Sequence, residues 1–482
     1  MIVQATVPRL EVKALRHARQ DLVVPFQVQA DGGEAITVLR LLRVLSGKRI
    51  VGEARWRDGA ALVKLFITRG NTRHWERERT GIAALRVANL PTPAVLGAGR
   101  LDGGGHFLLT EFLVGSRTLA ERWSAVEALP PGDPQTLEVL QPAFALLGRL
   151  HAAGLIQADL HLGNFLEHQG ELFLIDGDGI EPVAKNAGVC ARQTLDNLAL
   201  LVAQLPLAWE SCLDVLVAAY SAKQDRLRPD RDALLQAIEC AREKRLAHFL
   251  GKTVRNCSQF AVRSTTSLFT AVVRDEKELL AEFLENPDAV VGRGQMLKDG
   301  NTSTVVRVES GGRVRVVKRY NLKNFRHALS RFWRPSRAWH SWVAAHRLLF
   351  YGMSTPAPLA MLEERIGPLR RRAFLVTEFC PGENLLQHLS PDKAPEAPEA
   401  EAILAFFGAL FRLRIAHGDL KATNLLWQAG RIVVIDLDAM VRHDSHAAFV
   451  RDWRRDRARF LRNWPAHSAL YRWLDANLPE AA

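Results

Sequence analysis

The pattern of apolar and polar positions divides the chain into two halves with the same order of elements. Apolar residues recur at alternate positions, or in short β-branched runs, in four segments that we expect to be strands: residues 36–45, 60–67, 305–308 and 314–320. Each half then has an amphipathic segment with helical spacing, at residues 76–88 and 338–350. A Thr-Pro pair follows each of these segments and should end the helix before further strands begin.

Four other segments complete the predicted organisation. We expect residues 257–288 to open the second half with strands, rather than to form a linker, and residues 391–398 to be an exposed loop rich in Pro, Ala and Glu. The apolar run at residues 402–411 is about half as long as the roughly 18 residues of a membrane-spanning helix, so it predicts a buried helix. Residues 450–464 are amphipathic, and we expect this helix to close a small lobe.

Short motifs repeat in the same order in both halves. LLTEF at residues 108–112 corresponds to LVTEF at 375–379. Downstream, an Asp is followed five residues later by Asn and, twelve residues after that, by a second Asp, which gives two sets at an offset of 260 residues: Asp159, Asn164, Asp176 and Asp419, Asn424, Asp436. Upstream, a strand-like run carries Lys64 or Lys318. One Asp-x4-Asn arises easily by chance, but the whole order occurring twice predicts two domains, residues 1–250 and 251–482.

The repeated residues are those that phosphoryl transfer from ATP requires. A lysine can hold the α and β phosphates, hard oxygen ligands can hold Mg²⁺, and a carboxylate can orient the attacking hydroxyl. We therefore predict ATP and Mg²⁺ as cofactors, Lys64 and Lys318 as phosphate ligands, and Asp159 and Asp419 as catalytic carboxylates. The predicted metal ligands are Asn164, Asp176, Asn424 and Asp436.

A turn before the second lysine offers a place for phosphate. The segment KDGNTSTV at residues 298–305 has one glycine and several hydroxyl residues, so its backbone N–H groups could approach a phosphate. We predict that Gly300, Asn301 and Thr302 contact the nucleotide; an ordinary hairpin is the alternative.

Two segments of the second half resemble a known family. HGDLKATNLL followed by VIDLD looks like the catalytic and metal-binding segments of the protein-kinase-like superfamily. Residues 316–360, which run from VVKRY to APLA, resemble the bacterial lipopolysaccharide core kinases, which phosphorylate heptose or the neighbouring acidic core sugar. The first half is similar to a more diverged member. The resemblance implies an α+β fold of two tandem protein-kinase-like bilobal domains, each with a β-rich small lobe over a helical large lobe and with ATP in the cleft between them.

The resemblance also implies roles for further residues. A helix glutamate, Glu78, would pair with Lys64, and the glutamates of the two TEF motifs, Glu111 and Glu378, would lie at the nucleotide. Lys421, two residues after Asp419, would steady the transferring phosphate.

Each half departs from the family pattern in a different place. In the second half, Ser341 stands at the position that corresponds to Glu78, and residues 313–347 contain no acid, so Lys318 lacks an evident partner. In the first half, Gln157 replaces the His417 of the second half, and His161 replaces Lys421. Its metal segment reads Asp-Gly-Asp, in which the second acid either joins the metal site or faces solvent.

Composition and charge narrow the class of partner. The chain of 482 residues has 64 Lys and Arg against 52 Asp and Glu, which suits an anionic partner without choosing one. Ten Lys or Arg fall in residues 313–347, interleaved with aromatic residues, and this stretch either docks on acidic lipid or is a helix with a solvated basic face. Nucleic acid is the less favoured anion. The five cysteines include no C-x-x-C pair and the start of the chain lacks a secretory pattern, so we expect a cytoplasmic protein. The resemblance implies a peripheral position on the inner membrane of a Gram-negative bacterium.

The repeated motifs predict an ATP-dependent kinase. The resemblance implies that it phosphorylates a hydroxyl of a lipopolysaccharide core sugar, with a core oligosaccharide or glycolipid as acceptor. Two alternatives stay open. A Ser/Thr protein kinase would need a peptide-positioning segment, and only short sequence follows Asp436. A pseudokinase scaffold, with one inactive domain, is favoured by the missing acid near Lys318 and by Gln157. The sequence does not identify the sugar or the oligomeric state.

Overall fold

A computed structural model of the chain describes residues 7–18, 21–57, 59–68, 72–184, 186–222, 228–300, 302–321, 335–367 and 369–480. The chain divides into two compact units, Met1–Arg242 and Glu243–Ala482. The division falls within the helix Arg231–Thr253, whereas the sequence placed the boundary after residue 250 of the same helix. Helices and strands are mixed in both units, which confirms the predicted α+β class.

The first unit begins with a six-stranded antiparallel sheet. In sheet order its strands are Phe26–Gln29, Ala35–Leu45, Arg49–Trp56, Gly59–Phe66, His106–Glu111 and Val95–Arg100. Because side chains alternate along a strand, Val63 and Leu65 are fully buried in the sheet core while Lys64 lies on the other face. Lys64 thus lies on the face of the sheet where it contacts Glu78 and Asp176.

The rest of the first unit is mainly helical. Its helices are Val12–Leu15, Arg73–Val87, Leu119–Val126, Pro134–Ala152, Ala187–Val202, Leu213–Ser221 and Arg231–Thr253. Its short strands are Arg117–Thr118, Leu155–Gln157, Phe165–His168, Glu171–Leu174 and Ile180–Pro182. Thr118 and Glu121 form a capping box at the start of one helix, and Asp133 caps another that begins at Pro134. Phe144 and Trp209 are buried in the helical core.

The second unit repeats this organisation with a seven-stranded antiparallel sheet. In sheet order its strands are Phe260–Ser264, Leu268–Val273, Pro358–Ile366, Leu369–Glu378, Arg313–Tyr320, Ser303–Ser310 and Gln295–Gly300. Lys318 lies in a central strand, opposite Val305 on one side and Leu375 on the other. The strand of Lys318 is hydrogen-bonded to a neighbouring strand on each side, and this pairing holds the backbone at Lys318 in place.

Three of the described helices of the second unit lie between strands of the sheet in the chain, and four follow the sheet. They are Ala281–Glu285, Pro287–Arg293, Arg337–Phe350, Leu385–His388, Ala397–Arg412, His446–Leu461 and Ala469–Asn477. The short strands are Glu383–Asn384, Ile415–Ala416, Leu425–Gln428, Arg431–Val434 and Val441–Arg442. Phe407 and Trp453 pack edge to face with ring centroids 6.1 Å apart, within the roughly 4.5–7 Å typical of aromatic pairs. Burial of the Phe407 ring contributes about 1.5–3 kcal/mol.

The predicted elements largely agree with the structure. The four predicted strands and two predicted helices are present with shifts of a few residues, and residues 257–288 contain two strands of the second sheet, as expected. Residues 402–411 lie in the buried helix Ala397–Arg412, as expected. The expectation for residues 450–464 was wrong: the helix His446–Leu461 packs in the helical core, because Phe449, Trp453 and Phe460 face Phe407 and its neighbours rather than the sheet.

Two expectations concern membranes. Among the described residues, no helix has the length and apolarity needed to cross a bilayer. Of the basic stretch at residues 313–347, four cations fall outside the described residues: Lys323, Arg326, Arg331 and Arg334.

Candidate active site

In the second unit, four of the predicted site residues surround one cavity of about 360 Å³. Lys318 lines it from the strand Arg313–Tyr320, and Asn424 and Asp436 line it from the helical part. Glu378, at the end of its strand, lines it as well. The duplicated motif therefore marks residues that are distant in sequence and adjacent in space.

The predicted phosphate turn lies beside this cavity in a modified form. Gly300 pairs with Ser303 across a hairpin, and Thr302 lies in its turn; Asn301 falls outside the described residues. The residues of this hairpin that line the cavity are Leu297, Lys298, Ser303 and Val305, rather than Gly300 or Thr302. The predicted contacts of the turn with nucleotide stay a prediction.

Lys318 has two carboxylate partners, although no acid lies near it in sequence. Its Nζ donates to Asp436 Oδ1 at 2.6 Å and to Asp438 Oδ2 at 2.8 Å. Asp438 was not among the predicted site residues. The missing helix acid is thus replaced by a carboxylate two residues after the predicted metal ligand.

Asp438 is held by three donors. Its Oδ1 accepts from Tyr320 Oη and from Ser341 Oγ, both at 2.8 Å, while its Oδ2 accepts from Lys318. Burial and the Asp438 charge raise the pKa of Tyr320 well above its ordinary value, so its hydroxyl remains a donor. Ser341, at the position of the expected glutamate, orients the replacement carboxylate instead of contacting the lysine.

Asp436 has the backbone and charge state expected of a metal ligand. Its φ of 61° is left-handed, a strained conformation for a non-glycine residue that clusters at functional sites. Burial would raise the pKa of Asp436, but the Lys318 ammonium and its hydrogen bond outweigh burial, so the pKa lies below its ordinary value. The carboxylate is therefore ionised and can serve as a hard ligand.

Asn424 is oriented to complete such a site. Its Nδ2 donates to the Asp419 carbonyl at 2.9 Å, and because a carbonyl only accepts, the opposite amide atom is the oxygen. Among the described residues, no group of three or more His, Cys, Asp or Glu could hold a metal ion. Asn424 and Asp436 fit Mg²⁺, which takes few protein ligands and completes its shell with phosphate oxygens and water.

His417 connects the loop that carries Asp419 to the segment that carries Asp436. Its Nε2 donates to the Ile435 carbonyl at 3.0 Å, and its Nδ1 accepts from the Asp419 N–H at 3.3 Å. Burial lowers the pKa of His417, which agrees with a neutral ring that donates on one side and accepts on the other. The ring therefore fixes Asp419 relative to the residue before Asp436.

Asp419 lies among cations at the edge of the helical part. Lys421 Nζ and Arg459 Nη1 both contact its Oδ1, at 2.9 and 2.8 Å. The preceding Gly418 donates its N–H to the buried Asp456 at 2.9 Å. Arg459 and Asp456 belong to the helix His446–Leu461, so this helix positions the loop that carries Asp419.

In the first unit, the predicted lysine pairs with the predicted glutamate. Lys64 Nζ contacts Glu78 Oε1 at 2.5 Å and Asp176 Oδ1 at 3.3 Å. Glu78 Oε1 also accepts from the Gly177 N–H at 3.0 Å. Burial raises the pKa of Glu78, whereas Lys64 and Arg49 outweigh burial and lower the pKa of Asp176, which also has a left-handed φ of 69°.

The asparagine of the first unit is oriented differently. Asn164 Oδ1 accepts from the His161 N–H at 2.8 Å, and because an N–H only donates, this atom must be the oxygen. Asn164 is 1% exposed, whereas Asn424 is half-buried at its cavity. The oxygen of Asn164 is thus buried and already accepts one backbone hydrogen bond, and its place in the metal set stays a prediction. Asp159 is exposed.

The other departures of the first unit have structural explanations. Gln157 Nε2 donates to the Asp176 carbonyl at 2.9 Å and so supports the same loop that His417 supports in the second unit. Asp178 pairs with His74 at 2.9 Å and with Arg77 at 3.2 Å, which leaves it bound to a helix rather than to Lys64. Glu111 is exposed at the end of its strand.

Sequence reasoning missed three residues of the second unit's site: Asp438, Asp456 and Arg459. One signal could have found the first of them, because Asp438 lies at the constant offset of 260 residues from Asp178. Asp456 and Arg459 lie about 40 residues from Asp419 within an amphipathic segment, and nothing in their spacing indicates a link to it.

A strand lysine, an Asp-x4-Asn loop and a left-handed Asp around a cavity beneath an antiparallel sheet are the parts of a kinase-type phosphotransferase. The comparison with protein-family models is more specific: residues 281–466 match the Lipopolysaccharide kinase (Kdo/WaaP) family. The match confirms the resemblance predicted from sequence for this part of the chain and supports a kinase-type phosphotransferase. The first unit lies outside the matched residues.

Comparison with curated sequences found no significant match. Two solved structures resemble parts of the chain. A structure described as WaaP in complex with acyl carrier protein is 20% identical, with a TM-score of 0.34, and the match covers 42% of this chain and 88% of that one. The Mycobacterium tuberculosis PknI kinase domain is 18% identical, with a TM-score of 0.30, and the match covers 46% of this chain and 100% of that one.

Proposed function

We propose that the second unit transfers the γ-phosphoryl group of ATP to a hydroxyl of a lipopolysaccharide core sugar, on a core oligosaccharide or glycolipid. The observation that carries this proposal is the match of residues 281–466 to the lipopolysaccharide kinase family, in a unit where Lys318, Asn424 and Asp436 line one cavity next to Asp419. ATP would occupy the cavity, and Mg²⁺ would neutralise its phosphates.

Each residue has a distinct role in this proposal. Lys318, aimed by Asp438, holds the phosphates, and Asn424 and Asp436 supply metal-binding oxygens. Asp419 accepts the proton of the acceptor hydroxyl. The hydroxyl oxygen forms a bond to the γ-phosphorus while the bond from that phosphorus to the β-phosphate oxygen breaks, which releases ADP. Lys421, whose Nζ lies 2.9 Å from Asp419, is placed to contact the transferring phosphate.

A peptide acceptor is disfavoured by the short connection after the metal ligand. The turn Leu437–Ala439 leads through the two-residue strand Val441–Arg442 to the helix that begins at His446. Protein kinases place an activation segment between these points to position and regulate the peptide site. The connection here is a few residues long, which favours a small or oligosaccharide acceptor.

For the first unit we propose a diverged kinase-like domain that binds nucleotide or assists the second unit without turnover of its own. The Lys64–Glu78 pair supports nucleotide binding, and the burial of Asn164 makes it a poorer metal ligand than Asn424. The reaction would take place in the cytoplasm, where ATP is available, with an anionic membrane surface as a further proposed contact.

Transfer of labelled phosphate from Mg²⁺-ATP to isolated core oligosaccharide tests the proposed function. The full chain should phosphorylate the oligosaccharide and should leave a generic protein acceptor such as casein unlabelled. Labelling of casein with no labelling of the oligosaccharide would overturn the proposal in favour of a protein kinase. Binding of ATP with transfer to neither acceptor would favour the scaffold.

A further inference from the structure

A groove rich in arginine lies against the helix that positions Asp419. It has a volume of about 560 Å³ and is formed by the helix His446–Leu461 and by residues of the C-terminal helix and tail. We call it the arginine groove; its charged lining residues are Arg454, Arg455, Arg457, Arg459, Arg462, Asp475 and Glu480. Five cations face two carboxylates, so the groove has an excess of positive charge.

The arginines of the groove differ in what they contact. Arg457 is only 15% exposed and binds both the side chain and the carbonyl of Asp475, so it joins two helices. Arg459 donates to the Gly418 carbonyl at 2.7 Å and to Asp419 Oδ1 at 2.8 Å. Because Arg459 lines the groove and contacts Asp419, the groove opens beside the carboxylate that would receive the acceptor proton.

Two exposed cations flank Arg459 on the same helix face. Arg455, Arg459 and Arg462 are spaced by four and three residues, which places them on the same face. At a rise of about 1.5 Å per residue, Arg455 lies roughly 6 Å along the helix from Arg459. The side chain of Arg455 is 72% exposed and pairs with Asp452 only at 3.3 Å, so it can exchange that partner for another anion.

We propose that the arginine groove binds an anionic group, a phosphate or a carboxylate, on the acceptor oligosaccharide. Arg455 and Arg462 make the contacts, and Arg459, which lies between them along the helix, is the arginine nearest the reacting hydroxyl. Guanidinium groups bind phosphate and carboxylate oxygens through paired hydrogen bonds, which orients the acceptor as well as attracting it. The inference rests on the proposed function and deepens it: the enzyme selects a sugar with a negative charge roughly 6–10 Å from the hydroxyl that it phosphorylates.

The test compares two acceptors and two variants of the full chain. The acceptors are isolated core oligosaccharide and the same oligosaccharide after removal of its phosphates and reduction of its carboxylates. The variants are Arg455→Gln/Arg462→Gln and the control Arg472→Gln, an exposed arginine of the helix Ala469–Asn477 outside the groove. Acceptor KM, ATP KM and binding of the oligosaccharide by titration calorimetry are measured at low and high salt.

The double variant should raise the acceptor KM roughly 10- to 100-fold, the loss expected for charge-assisted hydrogen bonds, with the ATP KM unchanged. The neutralised oligosaccharide should be a poor acceptor that responds little to the same substitutions, and high salt should weaken only the charged acceptor. The Arg472→Gln control should behave as the wild type.

Two results would overturn the inference. One is an acceptor KM in the double variant equal to that of the control; the other is an equal loss on charged and neutralised acceptors, which would indicate a structural role. If the wild-type chain transfers no phosphate to the oligosaccharide, the proposed function fails separately. The inference is then decided by calorimetry, where salt-sensitive binding lost in the double variant supports it and unchanged binding contradicts it.

Discussion

Lys318 and Asp438 form an ion pair of 2.8 Å although 120 residues separate them. The equivalent lysine of the first unit, Lys64, pairs instead with Glu78 of the following helix at 2.5 Å. The two units thus aim their lysines with acids from different elements. In the second unit, Ser341 occupies the place of the helix acid and orients Asp438.

This arrangement predicts the effect of moving the acid. Asp438→Ser removes one of the two carboxylates at Lys318, so kcat/KM for ATP should fall roughly 10- to 100-fold. Adding Ser341→Glu to Asp438→Ser recreates the arrangement of the first unit and should recover part of the loss. Steady-state kinetics at varied ATP concentration measure both effects.

A matched change in the first unit provides the control. Asp178→Ser removes a carboxylate that pairs with His74 and Arg77, so transfer by the second unit should be unaffected. If Asp438→Ser retains wild-type kinetics, the proposed aiming role of Asp438 is wrong.

Replacement of the two asparagines by alanine should affect two different properties, the Mg²⁺ dependence of ATP binding for Asn424 and the stability of the fold for Asn164. Asn424→Ala removes a proposed metal-binding oxygen, so the Mg²⁺ concentration needed for half-maximal ATP binding should rise about tenfold or more. Asn164→Ala removes a buried hydrogen bond to the His161 N–H, so it should lower the free energy of unfolding by about 1–3 kcal/mol.

Mg²⁺-dependent ATP binding and thermal melting distinguish the two asparagines. An Asn164→Ala variant that weakens Mg²⁺ dependence as strongly as Asn424→Ala would show that the first unit also holds the metal through this residue.

Two buried histidines predict a loss of stability on the acid side. Burial lowers the pKa of His346 in the second unit and of His151 in the first from 6.5 to about 4. Below pH 6.5 the unfolded chain binds the proton before the folded chain does, so stability falls as pH decreases toward 4. Each histidine contributes a loss of up to about 3 kcal/mol.

Urea denaturation at pH 7 and pH 5 measures this dependence. His346→Leu should reduce the difference in unfolding free energy between the two pH values for the second unit. An equal pH dependence in the variant and the wild type would exclude His346 as a source of the acid-side loss.

The sequence predicted the parts of the site that repeat and missed those that depend on packing. Asp419, Asn424 and Asp436 were predicted because the same three residue types occur, with the same spacing, 260 residues earlier in the chain. Asp438 was missed because the family pattern places the acid partner of the lysine within residues 313–347, and this stretch contains no acid. Arg459 reaches Asp419 only because aromatic residues bury the other face of its helix, which spacing alone does not show.

The orientations of the side-chain amides of Asn164 and Asn424 could not be predicted from the sequence. Asn164 and Asn424 occupy the same motif position, yet one oxygen is bound by a backbone N–H and the other remains available. The difference arises from local contacts of His161 and Asp419 rather than from residue type.

The most direct test of the central claim, that the second unit carries out the transfer, compares Asp419→Asn with Asp159→Asn in the full chain. The measurement is phosphate transfer from ATP to isolated core oligosaccharide, with ATP affinity measured in parallel. Asp419→Asn should reduce turnover by a factor of ~10²–10⁴ with ATP affinity nearly unchanged, as expected for loss of a general base. Asp159→Asn should have a much smaller effect. Loss of transfer in Asp159→Asn with normal turnover in Asp419→Asn would contradict the account.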